Sequence, residues 1–142
     1  MLSFAKYLSN WQDAFSAYRR KLPAPPLHLR SGITIHHSDS DDVWSLFDEI
    51  FEQKCYTGNG FYSPKAGDRI MDCGANIGFF ALYLSSFSKS LQIHCFEPST
   101  HTQKRLRSNI DSNQLGSQIK VHPVAVLNRN GTIPLVQTAF AG

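Results

Sequence analysis

Apolar positions along the chain change their period near residue 69, and that change divides the sequence. Before it, Phe4, Tyr7, Leu8, Trp11, Phe15 and Tyr18 recur at spacings of three and four, the stripe of an amphipathic helix over residues 3 to 20. Arg19, Arg20 and Lys21 suit its carboxyl end, where the helix dipole favours cations. Such a stripe predicts a helix docked on a core, with a membrane-surface or partner helix as the minority reading. KLPAPPLHLR ends it, because proline cannot donate the backbone hydrogen bond and disfavours a helical residue before it. ITIHH reads as a short strand. In SDSDDVWSLFDEIFEQ, Ser40 or Asp41 is placed to cap a helix whose Val43, Leu46, Phe47, Ile50 and Phe51 form one apolar face. YTGNGFYSPKAGD is a turn-rich connector ending in Gly67 and Asp68.

From Arg69 onward, short apolar runs alternate with helical periods. RIMDC reads as a buried strand, followed by a loop from Gly74 to Gly78. FFALYLSSF is helical and LQIHCFE is a second strand. STHTQKRLRSNIDSN is a second helix, with Leu106 and Ile110 facing inward and basic residues outward. QIKVHPVAV is a third strand and LNRNGT a turn. Strand, helix, strand, helix, strand implies right-handed crossovers and a parallel sheet. The fold class is therefore α/β: a Rossmann-like, doubly wound parallel sheet of strand order 3-2-1, incomplete, with an N-terminal helical extension. The expected division is 1–38, a helix and Pro-rich linker, and 39–142, the Rossmann-like domain.

Composition narrows the function only a little. A chain of 142 residues, 42% hydrophobic, suffices for one domain with a real core. Its net charge of +3 is too weak to argue for nucleic acid. No apolar run approaches the roughly 20 residues needed to cross a bilayer, and the N-terminus lacks the apolar core of a secretory signal. Cys55, Cys73 and Cys95 form no C-x-x-C pair. Cys73 and Cys95 fall in strand-like runs, so they read as buried, reduced thiols of a cytoplasmic protein.

IMDCGANIGFF, residues 70 to 80, carries the chemistry. A glycine-rich turn between a buried strand and a helix forms a ligand cradle at the strand's carboxyl end; the bland alternative is a turn that needs glycine for its backbone angles. Glu97 ends the second strand 97 − 74 = 23 positions after Gly74, against about 20 for the ribose-binding acid of dinucleotide sites. A carboxylate there can accept both ribose hydroxyls. A pyrophosphate, however, wants bare backbone at the middle of the loop, where Asn76 stands. Asp72 would also repel it in a partly dry site. A nucleoside bearing a cation in place of phosphate removes both objections. S-adenosylmethionine places an ammonium and a sulfonium beside its ribose, and its carboxylate can meet the loop N–H groups and the start of the next helix.

GDRIMDCGANIGFFALYL, IHCFEPS and VHPVAVLNRNGTIPL together resemble the opening half of the FkbM-type methyltransferases, in the class I S-adenosylmethionine-dependent group. SDSDDVWSLFDEIFEQKCY resembles the acidic helix and tyrosine that such proteins place ahead of the first strand. The resemblance covers roughly residues 39 to 135. It implies methyl transfer to a hydroxyl of a small molecule or sugar. Carried over by position, it implies that Asp72, Gly74, Ala75, Asn76 and Gly78 hold the methionine end and Glu97 the ribose. Pro98 and Ser99 would border the adenosine, and Asn128 would fall near the adenine.

The acceptor side is not legible. An O-methylation wants a base or a metal for the acceptor, and His36, His37, His94 and His122 each read better as structural. No metal site is expected. The chain ends at Gly142 before a fourth strand is evident, so the resemblance implies that half of a catalytic domain lies outside it. A noncatalytic module acting in assembly is the alternative, and an NAD-binding oxidoreductase fragment a weaker one. The expected partners are a small-molecule acceptor and, through an unpaired sheet edge at Arg69 to Cys73, a second copy; nucleic acid and membrane spans are not expected.

Overall fold

The computed structural model describes residues 3–39, 41–58 and 60–135. The N-terminal stripe forms two helices, α1 (Phe4–Tyr7) and α2 (Trp11–Arg20), where one was expected. A hairpin competes for the backbone between them. Leu8 is extended and bridges Leu29, Ser9 N donates to His28 O at 2.8 Å, and Arg30 N to Tyr7 O at 2.9 Å. The Asn10 carboxamide donates to Pro26 O and accepts from His28 N. The apolar stripe still reaches the core, since Phe4, Leu8 and Ala14 are buried. Antiparallel strands β1 (Leu27–His28) and β2 (Thr34–Ile35) form the hairpin, with Leu27 opposite Ile35.

Helix α3 (Val43–Phe47) follows, continued by a π-helical turn over Asp48–Glu52. Its cap is Asp42, whose carboxylate accepts from Ser45 N at 3.2 Å. That corrects the expected cap at Asp41, while Ser40 lies outside the described residues. Asp41 instead accepts from Ser38 N at 2.7 Å and pairs with Arg105 at 2.6 Å. Burial alone would raise the Asp41 carboxyl, but the Ser38 N–H and the Arg105 guanidinium bring it below its usual range. The helix face packs inward, with Phe47 and Phe51 stacked at 4.9 Å.

The second half is the parallel sheet of β3 (Arg69–Cys73), β4 (Gln92–Phe96) and β5 (Ile119–His122), in the order β3-β4-β5. This is the expected order read from the opposite edge. Helix α4 (Phe79–Ser85) connects β3 to β4, and α5 (Thr100–Ser112), capped by Ser99, connects β4 to β5. Two right-handed crossovers that advance in the same direction put both helices on one face. Ile93, Cys95 and Ile119 are buried there with Leu82, Leu106 and Ile110 in one core that extends to Phe4. The opposite face carries exposed Met71, Cys73 and Lys120 beside half-buried His94, Phe96 and His122. Cys73 is therefore not the buried thiol the strand pattern suggested, because alternation places it on the uncovered face. Cys95 does meet that expectation. His94 and His122 satisfy one another, Nδ1 to Nε2 at 2.9 Å. Among the described residues no helix is long and apolar enough to cross a membrane.

Two asparagines one turn apart, Asn109 on α5 and Asn113 at its C-cap, hold the N-terminal hairpin. Asn113 accepts from Thr34 N and donates to Thr34 O, each at 2.7 Å. Asn109 does the same for His36 at 2.9 Å and also donates to Ile77 O at 3.0 Å. Their carboxamides thus supply the donor and acceptor that a neighbouring strand would, and Asn109 extends the link to the loop after β3. Asn109 is fully buried, so truncation strands several backbone groups away from water. Asn109→Ala is expected to lower unfolding free energy by about 2–4 kcal/mol in urea titration, and Asn113→Ala, half-buried, by less. An Asn109→Ala chain as stable as the parent would contradict this account of the hairpin's attachment.

Candidate functional site

Strand β3 ends in Asp72 and Cys73, and the chain then reverses through left-handed conformations at Gly74 (φ 85°), Asn76 (φ 49°) and Gly78 (φ 90°). Glycine suits Gly78 on two counts, its positive φ and a Cβ position only 2.6 Å from Leu106 Cδ1, which would have to move aside for any side chain. Asn76 is among the few other residue types that visit this region readily. The loop is tied to the next strand by its own backbone, with Gly74 N and Ala75 N both donating to Phe96 O at 2.9 and 3.1 Å.

Glu97, the residue after β4, is buried and fixed. Its Oε2 accepts from Asn76 N at 3.0 Å and its Oε1 from Ser99 N at 2.9 Å. The Gln103 carboxamide donates to Glu97 O at 2.8 Å. The loop and the acid therefore position each other. Asp72 is different. Its Oδ2 is closed off from solvent and has no hydrogen-bond partner among the described residues. Burial first, and then the charge of Glu97, push its carboxyl up to about 6. Burial followed by the charge of Asp72 raises the neighbouring Cys95 thiol as well.

Asp72, Gly74, Ala75 and Asn76 line a cleft of about 190 Å³ whose other wall is Leu46, Glu49, Ile50, Tyr56, Phe79 and Phe80. Gly78 sits beneath the loop against Leu106. Glu97 and Ser99 lie behind the loop with half-buried Pro98 between them. Asn128 stands apart, in the exposed segment after β5. Glu49 and Tyr56 were not singled out individually by sequence reasoning, although the acidic helix and tyrosine ahead of β3 contained both. Tyr56 Oη donates to Glu49 Oε1 at 2.6 Å. That bond, then burial and nearby negative charge, push the phenol up to about 12. Chemically, the arrangement offers uncompensated acids to a cation and a pinned carboxylate to neutral hydroxyls, and it disfavours a diphosphate.

Solved structures with this arrangement of strands and helices define the class. A transferase from Pyrococcus horikoshii superposes with a TM-score of 0.52 at 18% identity, over 66% of this chain and 34% of its own. The human methyltransferase 10 domain containing protein gives 0.50 at 14% identity, over 80% and 48%. The fold is that of the Rossmann-like methyltransferases. More narrowly, the sequence is similar to FkbM-type methyltransferases over part of their length. It is 31% identical over 93 residues to the 31-O-demethyl-FK506 methyltransferase FkbM of Streptomyces tacrolimicus, covering 66% of this chain and 35% of that one. It is also 31% identical over 90 residues to the methyltransferase sdnD of Sordaria araneosa, covering 63% and 34%. The chain thus spans about a third of the length of these two relatives. No protein-family profile matches it.

The raised carboxyl of Asp72 has a sign that can be checked. Its folded value of about 6 exceeds the ordinary 3.8, so its favourable contribution is full below about 4 and lost as pH rises through 6. At neutral pH Asp72 therefore destabilises the ligand-free fold. Asp72→Asn should be more stable than the parent at pH 7.5 by on the order of 1–3 kcal/mol, with most of the gap gone by pH 4.5. Urea unfolding at the two pH values checks this.

Proposed function

We propose that this chain is the donor-binding part of an S-adenosylmethionine-dependent methyltransferase, acting on a hydroxyl of a small molecule or sugar. The observation that carries the proposal is the orphaned Asp72 carboxylate beside a Glu97 held by two backbone N–H groups. The residues fit the donor: Asp72 meets its positive charges, Gly74, Ala75 and Asn76 offer backbone to its methionine end, and Glu97 faces the ribose. Each Glu97 oxygen accepts one backbone hydrogen bond, which leaves lone pairs for hydroxyl donors. Pro98 and Ser99 border the adenosine in this reading, and Asn128 belongs to the adenine side. When bound, the donor supplies an electrophilic methyl group. What these residues add is orientation, because much of the advantage in such a displacement lies in alignment. The Streptomyces relative is a 31-O-demethyl-FK506 methyltransferase, which supports the oxygen acceptor. A net charge of +3 supports a small-molecule acceptor over nucleic acid.

Calorimetric titration tests the ligand. S-adenosylhomocysteine should bind and NAD should not. Glu97→Gln should weaken binding by roughly 1–3 kcal/mol, while Asp39→Ala leaves it unchanged. Tight NAD binding with no response to S-adenosylhomocysteine would overturn the assignment.

We also infer self-association. Among the described residues β3 pairs only with β4, so one edge of Arg69–Cys73 presents free N–H and C=O groups, and such an edge recruits another strand. Light scattering should report a mass above the 16.0 kDa of one chain; a monodisperse monomer would refute the inference.

A further inference from the structure

The wall of the cleft opposite the glycine loop has features that the donor reading alone does not use. Helix α3 does not continue regularly through Glu49 but passes into a π-helical turn over Asp48–Glu52. Such turns are rare and concentrate at functional sites, since the added residue re-aims the side chains around it. Here Leu46, Glu49 and Ile50 all reach the cleft. Tyr56 returns from the following turn to donate its hydroxyl to Glu49 at 2.6 Å, and its ring packs on Phe80 at 4.8 Å. Glu49 and Asp72 thus line one cleft, and no lysine, arginine or histidine is among the residues that line it. The tyrosine hydroxyl gives Glu49 a hydrogen bond but no compensating charge. Asp72 Oδ2, buried and without a partner among the described residues, lacks even that. Two acids in a small cleft walled by Phe79, Phe80 and Tyr56 are stable together when a ligand brings the positive charge, and the aromatic faces favour the same charge.

We propose that Glu49, oriented by Tyr56, is a specificity determinant that holds the primary ammonium of the bound ligand against Asp72. The inference rests on the donor-binding reading above and adds an ammonium subsite to it. Glu49 is the binding residue and Tyr56 a positioning residue, because the tyrosine acts through the carboxylate it fixes. The subsite distinguishes a thioether nucleoside with an amino-acid end from the same nucleoside without one.

The test compares two ligands on the full chain: S-adenosylhomocysteine, which carries the ammonium, and 5′-methylthioadenosine, which does not. The parent should bind the first more tightly. Glu49→Gln should weaken S-adenosylhomocysteine about tenfold, as expected for loss of one charge-assisted contact, and leave 5′-methylthioadenosine within twofold. Tyr56→Phe should act in the same direction, about threefold, through the same ligand difference. If Glu49→Gln leaves S-adenosylhomocysteine affinity unchanged, or weakens both ligands equally, the subsite is wrong while the donor reading stands. That outcome includes the case in which the cleft serves an amine acceptor. If the folded parent binds neither nucleoside, the donor reading itself fails and takes the subsite with it.

Discussion

Two carboxylates at the carboxyl ends of adjacent parallel strands set the terms for everything near the loop. Glu97 is held by the N–H groups of Asn76 and Ser99, the first presented by a loop with left-handed turns at Gly74, Asn76 and Gly78. Asp72 lies on the helix-covered side of the same sheet, near enough for its charge to feel Glu97, and it has no such support. A fold optimised for stability alone would replace it. Its presence beside a fixed partner supports the proposed site, in which a ligand completes the charge balance.

The N-terminal extension braces that site without lining it. Asn109 joins His36 of the hairpin side to Ile77 of the loop through one buried carboxamide, so hairpin, α5 and loop share a hydrogen-bonded node. Arg105, four residues earlier on α5, fixes Asp41 and Ser38 just ahead of α3. Helix α3 and its π turn are thereby placed where Leu46, Glu49 and Ile50 face the loop. The aromatic contacts of Phe47 and Phe51 with α1 and α4 fill the space beneath. Helix α3, its π turn and Tyr56 thus contribute to the lining of the cleft, and the extension packs behind them.

Much of this was legible because its determinants are local. The period change at Arg69, the spacing from Gly74 to Glu97, and the conflict between Asp72 and a phosphate all lie in short stretches of chain. The features that escaped depend on distant partners. The break after Tyr7 arises because His28 and Leu29 claim the backbone of Ser9 and Leu8, while Pro26 and His28 bond the Asn10 side chain. The exchange of the cap from Asp41 to Asp42 follows from Arg105, 64 positions away. Asn109 and Asn113 looked like polar helix positions, yet they reach strand residues more than 70 positions away. Cys73 was misread because a single strand pattern does not say which face will lack helices. Glu49 and Tyr56 gain meaning only when a π turn and a loop bring them to the same cleft as Asp72.

The most direct test of the acid pair as a cation trap is the titration of the Asp72 side-chain carboxyl by carbon-13 NMR, with and without S-adenosylhomocysteine. In the free protein it should titrate near 6. Bound ligand should bring it below 5, roughly a tenfold or greater preference for the charged form. A midpoint that stays near 6 at saturating ligand would show that the charge of Asp72 does not meet the ligand, and would contradict the account.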